Sequence, residues 1–455
     1  MPLTRRALLG SLAATTLVPA LAGATSLPRL QARPGRRQLA PEGYPDTEIW
    51  GYDGIAPGPV IRVAQGARVQ RQLVNALPQA TAVHWHGIRI DNAMDGVPHL
   101  TQAAVEPGAS FDYDFTVPDA GSYWYHAHNH SSEQVARGLH GLLIVDEADA
   151  PDVDHDLPLA IDDWRLERAD ASISGGFDNM HDLSHEGRLG NLVTVNGSFD
   201  PSVKVARGDR LRLRLANVAN ARIFEIGLNG LEGWLVALDG MPLEPVVPVS
   251  GSFTLAPAQR ADLIVDVTGE AADLLSIEPG GGYGLMRFEV APGTRARRGT
   301  PAALPPNPLP VIANAAAAPL HTMRLMGGMM SGMAGGRLGS TEMNARELAQ
   351  LGKFWALNGQ VDMGHDPFLD LSRGETLRIA FVNETVFPHG MHTHGHHFRT
   401  IAADGSLGPW RDTVLVQPRE TVQIAMVADN PGKWMLHCHM LEHAAAGMMS
   451  WFRVT

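Results

Sequence analysis

One spacing occurs three times in this 455-residue chain and constrains its fold more than any other feature. Pro59, Val63, Gly66 and Asn75 are matched by Pro201, Val205, Gly208 and Asn217, and again by Pro367, Leu371, Gly374 and Asn383. In each copy Pro precedes Gly by seven residues and Asn follows Gly by nine. Apolar residues alternate between them, as in Leu211, Leu213 and Leu215, or Leu377, Ile379 and Phe381. Alternation with period two, bounded by Gly and Pro, reads as strand–turn–strand in a sandwich. Recurrence of the whole unit reads as a repeated domain. Forty-eight Gly and thirty-two Pro provide for many tight turns, and amphipathic helical stretches are few. The length is too great for one core. The sequence therefore predicts an all-β protein of three consecutive sandwich domains, at 38–148, 154–296 and 340–455. A Pro/Ala-rich linker and a Met-rich segment fill 297–339.

The residues with metal chemistry fall in the first and third copies. The only cysteine, Cys438, lies in His437-Cys438-His439, with His443 and Met448 downstream. A lone Cys forms no internal disulfide. A thiolate with two imidazoles and a thioether is the ligand set of an electron-transfer copper site, and His389 is available as the second imidazole. Successive side chains on a strand point to opposite faces. Cys438 would then face one metal, and His437 and His439 would both face another. The pairs His84/His86, His126/His128 and His392/His394 repeat that two-residue spacing, giving eight histidines in four pairs. Twenty histidines placed at random would give roughly one such pair. Eight neutral imidazoles suit copper, although zinc also accepts them. They are too many for one ion and about right for three.

With these motifs together (H-W-H-G at 84–87, H-A-H at 126–128, H-G-M-H-T-H-G at 389–395 and H-C-H-x3-H-x4-M at 437–448), the chain resembles the multicopper oxidases of the laccase and bacterial cuprous-oxidase group. The resemblance makes the sandwiches cupredoxin-like Greek-key domains and implies four copper ions. It assigns a type 1 copper to His389, Cys438, His443 and axial Met448. It gives a type 2 copper to His84 and His392. It assigns a type 3 pair to His86, His126, His128, His394, His437 and His439. Spacing alone leaves these assignments open. The implied reaction oxidises phenols, aromatic amines or Cu(I) one electron at a time and reduces O2 to water. Cys438, His437 and His439 connect the two centres. Asp95, in Met94-Asp95-Gly96, matches an acid that relatives use to orient water and relay protons, although Asp-Gly is also a common turn pair. Ala444 stands where many bacterial relatives have Glu, and Thr385 and Phe387 stand where cuprous oxidases place Asp and Met.

A net charge of −12 with no basic patch argues against nucleic acid. Arg5-Arg6 opens an apolar run that ends in small residues near Ala24, read as a signal peptide over 1–24 of the twin-arginine type. Gly10, Ser11, Thr15, Thr16 and Pro19 make that run a poor membrane anchor. A periplasmic monomer is expected. Met323, Met326, Met329, Met330 and Met333 are interleaved with Gly, which argues against a packed segment. Clustered thioethers suit Cu(I), and they also serve as adaptable filler. The alternative function is a periplasmic protein that sequesters Cu(I) through this segment; such a protein would consume no oxygen.

Overall fold

Each repeat closes on its asparagine. Asn75 ends the strand Arg68–Asn75; its Nδ2 donates to the Gln79 and Val105 carbonyls, and its Oδ1 accepts from Leu77 N. Asn217, ending Arg210–Asn217, makes the same three bonds with Arg222, Leu255 and Ala219. Asn383, ending Glu375–Asn383, makes them with Phe387, Val416 and Thr385. All three are buried, so an apolar substitute would leave backbone groups without partners. At the other end of each strand, Gly66, Gly208 and Gly374 take φ of 78°, 89° and 86° in the turn. Their N–H groups donate to Val117, Val267 and Ala428.

The computed structural model describes residues 27–293 and 298–455. The export signal expected over 1–24 lies outside them. Among the described residues no helix is long and apolar enough to cross a membrane. Each repeat strand lies between one parallel and one antiparallel neighbour. These are Arg29–Arg37 and Ser110–Thr116 in the first domain, His155–Trp164 and Arg260–Val267 in the second, and Leu320–Gly327 and Thr421–Ala428 in the third. Among the described residues the strands form two four-stranded sheets, then sheets of six and five, then sheets of nine and five. The fold is all-β, with three two-sheet units.

Two edges differ from the sequence expectation. The first unit begins at Arg29 rather than 38, because Arg29–Arg37 supplies the parallel neighbour despite Pro34 and Gly35. The third begins at Leu320 rather than 340, because Leu320–Gly327 pairs with Glu375–Asn383 over six residues. One apolar cluster runs through the first and third sandwiches, while the second has its own. Trp85, Trp355 and Trp434 are fully buried in the shared cluster. Burial of side chains this large stabilises by about 1.5–3 kcal/mol each, which holds the two metal-bearing domains together.

Candidate metal centre

The histidine pairs meet through strand register. His84 and His86, on Val83–His86, lie opposite His126 and Trp124 of Gly121–Ala127. In the third domain His392, on His389–Thr393, lies opposite His437 of Gly432–Cys438. The domains face each other with imidazoles stacked across the boundary. His84 lies on His394 and His86 on His392, each with ring centroids 3.8 Å apart.

Three donor groups result, each with ligand atoms within 4.8 Å of one another: His84, His86 and His392; His86, His126 and His439; His128, His394 and His437. Burial pushes the imidazoles of His86, His126, His128, His392, His394 and His439 below their ordinary value, and neighbouring rings add to the effect, while Asp412 opposes it at His86 and His392. Burial also lowers His437, to about 3. Neutral rings keep a lone pair for a metal. The Nε2 atoms of His84, His126 and His392, Nδ1 of His86 and both ring nitrogens of His439 are buried without a hydrogen bond. His394 Nε2 faces His437 Nε2 at 3.1 Å. So many convergent, unpaired donors fit metal ions and would be costly without them.

Asp95 sits under this cluster, fully buried. Its Oδ2 accepts from His394 Nδ1 at 3.0 Å and its carbonyl from His84 Nδ1 at 2.8 Å. Each bond directs the opposite nitrogen to the metal side. Gly96 fixes Asp95 from behind. Its φ is +82°, and a Cβ there would fall 1.8 Å from the Val83 carbonyl oxygen.

The second centre is a triangle. His389 Nδ1 and His443 Nδ1 are 3.1 Å apart, and each is 3.7 Å from Cys438 Sγ. His389 Nε2 donates to Thr385 Oγ1 at 2.9 Å and His443 Nε2 to the His185 carbonyl at 2.6 Å, so both Nδ1 lone pairs are free. Trp355 covers both rings. Buried Met448 is tied in through its backbone: its carbonyl accepts from Cys438 N and its N–H donates to His443 O. Burial lowers His443 to about 4 and raises the Cys438 thiol to about 12. A bound cation would displace that thiol proton.

Sequence reasoning missed several contributors. Asp412 accepts from His86 Nε2 at 3.2 Å, and its carbonyl accepts from His392 Nδ1 at 2.9 Å. Arg260, from the middle domain, holds both carboxylate oxygens of Asp412. The middle domain therefore helps to position the histidine cluster, although it carries none of its histidines. A single Asp between two strands carries no spacing signal that could have marked it. Thr385, noted only for what it replaces, proves to be the hydrogen-bond partner of His389.

The five methionines expected as a Cu(I) site do not form one group. Met323 is fully buried in the core strand Leu320–Gly327. Met326 and Met333 pack against Leu348, Ala356 and Val361. Only Met329 and Met330 are well exposed, at 58% and 69%. The glycines here permit close packing: a Cβ on Gly328 would lie 2.6 Å from the Trp355 ring.

Two multicopper oxidase family models match the chain, over residues 35–150 and 338–455. The chain is 30% identical to Multicopper oxidase MmcO of Mycobacterium tuberculosis, over 94% of this chain and 86% of that protein. Among solved structures, Lac15 from a marine microbial metagenome is 42% identical with a TM-score of 0.77, over 94% of this chain and 100% of the other. A multi-copper oxidase from Pseudomonas Thermotolerans is 32% identical with a TM-score of 0.81, over 94% and 98%. With two sets of buried donors and relatives that align along nearly the whole length, the chain belongs to the multicopper oxidases.

Proposed function

We propose that this oxidase couples one-electron oxidation of a small reducing substrate at the Cys438 site to four-electron reduction of O2 to water at the eight-histidine cluster. The observation that carries the reading is the placement of His437-Cys438-His439. The Cys438 sulfur lies with His389 and His443, while His437 and His439 each join a separate trio of histidines. His389, Cys438, His443 and Met448 would hold a type 1 copper, His84 and His392 a type 2 copper, and the other six histidines a type 3 pair. Bound copper would supply the one-electron redox chemistry and the reduction of O2.

The chain's own residues set the conditions for that chemistry. His437 Nδ1 donates to the Cys438 carbonyl at 2.9 Å, giving a short polar path between the two centres. Burial excludes water from the Cys438 site, whereas half-buried His128 lines a surface cavity with His437 at the edge of the cluster. Asp95 is the proton carrier nearest the cluster. Its Oδ1 makes no hydrogen bond and lies 3.3 Å from His84 Nδ1, so that oxygen can take up and pass on a proton. Export to the periplasm by the twin-arginine route and a monomeric state complete the reading.

The test is oxygen uptake by copper-loaded protein, with a phenolic dye and with Cu(I) as donors. Four donor equivalents per O2, without released peroxide, are expected. A protein that binds copper yet takes up no oxygen with either donor would be a sequestering protein instead.

A further inference from the structure

The eight cluster histidines are not equally enclosed. Seven are buried, and His128 alone is half-buried. His128 and His437 line a cavity of about 290 Å3 between the first and third domains. Exposed His99, His130 and Ala445 line it too, so it opens at the surface. At its inner end His128 and His437 join His394 in one of the three donor trios, while the other two trios are buried throughout. A solute entering by this cavity therefore meets the His128 trio first.

The cavity wall carries soft donors at graded depth. Met363 and Met449 are half-buried and Met435 is buried. Strand register places the last two beside the cluster. Met435 and His437 share a face of Gly432–Cys438, and Met449, which opens the strand Met449–Val454, lies directly opposite His437. No charged side chain lines the cavity. Imidazoles and thioethers without carboxylates suit Cu(I) better than a hard divalent ion. A passage for oxygen or water alone would need none of these donors. Among the described residues His99 and His130 belong to no donor trio, so the mouth offers single ligands in place of a site that retains an ion. Transit requires that: each contact must be favourable enough to enter and weak enough to leave.

We propose that this cavity is the port through which copper, as Cu(I), enters the folded protein to fill the histidine cluster. His99, His130 and Met363 receive the ion at the mouth, Met435 and Met449 pass it inward, and the trio of His128, His394 and His437 takes it up. The inference rests on the reading of the eight histidines as a copper cluster. Loading transfers no electron and no proton: the ion keeps its charge and exchanges one neutral donor for the next. The Cys438 site fills by another way, since His389, Cys438 and His443 are buried and do not line the cavity.

The test is the rate of metal uptake. Copper-free protein is mixed anaerobically with buffered Cu(I), and uptake is stopped at intervals with a strong Cu(I) chelator. After admission of air, the blue absorption reports the Cys438 site. Electron paramagnetic resonance and near-ultraviolet absorption report the cluster. Wild type is compared with a His99→Ala/His130→Ala/Met363→Leu variant, which removes donors, and with Ala445→Trp, which narrows the mouth and removes none. Both variants should fill the cluster at least about tenfold more slowly. Both should fill the Cys438 site at the wild-type rate and reach the wild-type copper content after long incubation. Cluster filling at the wild-type rate in either variant overturns the port. Equal slowing at both centres, or a permanently lower copper content, overturns it too, by making these residues structural. A wild-type chain whose Cys438 site fills while its cluster never does would defeat the oxidase reading itself.

Discussion

The Arg260 guanidinium of the middle domain grips both oxygens of Asp412 in the third domain, and Asp412 in turn reaches His86 of the first at 3.2 Å. All three domains thus meet one residue away from the metal ligands. Burial opposes ionisation of Asp412, but the charge and hydrogen bonds of Arg260 together with His86 and His392 outweigh it and hold the carboxyl well below its usual range. Asp239 completes the junction by accepting from Arg260 N at 2.9 Å. Gly87 is required here, because a Cβ would lie 2.3 Å from Arg260 and 2.6 Å from Asp412.

Removing one partner of this pair leaves a buried charge uncompensated. Arg260→Met is expected to destabilise the protein by about 3–5 kcal/mol, and Arg260→Lys by less. In Arg260→Lys the eight-histidine cluster should lose copper while the blue absorption persists. Urea unfolding with copper analysis measures both effects. Equal loss of copper from the two centres would show that the junction serves general stability only.

Asp95→Asn keeps an oxygen for His394 Nδ1 but removes the proton carrier. Reoxidation of the reduced protein by O2 should slow more than reduction of the blue site, by about 10²–10⁴-fold if Asp95 is the general acid. Stopped-flow traces at the blue band separate the two rates. Equal slowing would argue against the relay.

His86→Ala or His394→Ala should disturb the cluster coppers and spare the blue colour, whereas Cys438→Ser should abolish the colour and leave the cluster loaded. Electron paramagnetic resonance and absorption spectra read these signatures. Loss of colour in a folded His394→Ala protein would contradict two separate centres.

Gly96→Ala forces a Cβ against the Val83 carbonyl at φ +82°. Strain of this kind costs about 1–3 kcal/mol, and the shift would carry Asp95 away from His394. Lower stability together with weaker copper binding at the cluster is expected. Wild-type copper content in this variant would show that the turn relaxes without moving Asp95.

The copper-free protein should lose stability in acid. The unfolded chain protonates its histidines below about pH 6.5, whereas the folded chain holds His443 neutral to about 4 and His437 to about 3. Between those limits the unfolded state binds more protons, so stability falls as pH drops through the window. Urea midpoints at about pH 7.5 and about pH 5 should differ, with the lower midpoint in acid. A flat profile would mean that the rings are not held neutral.

Much of this was readable along the chain because the determining signals are local. The Pro–Gly–Asn spacing marks a turn, a strand and a closing side chain within a few residues, so Asn75, Asn217 and Asn383 disclosed three sandwiches. Strand alternation likewise placed Cys438 opposite its flanking histidines. The edges were less legible: Arg29–Arg37 and Leu320–Gly327 become strands only because a parallel neighbour satisfies their backbone. Tertiary structure alone decided that Met323 is core and that Met329 is exposed, with its N–H on the Ser184 carbonyl. It also decided that Arg260 and Asp412, 152 residues apart, share a charge. Sequence records what one strand can present, whereas burial, charge pairing and access to His443 depend on which distant strands are brought against it.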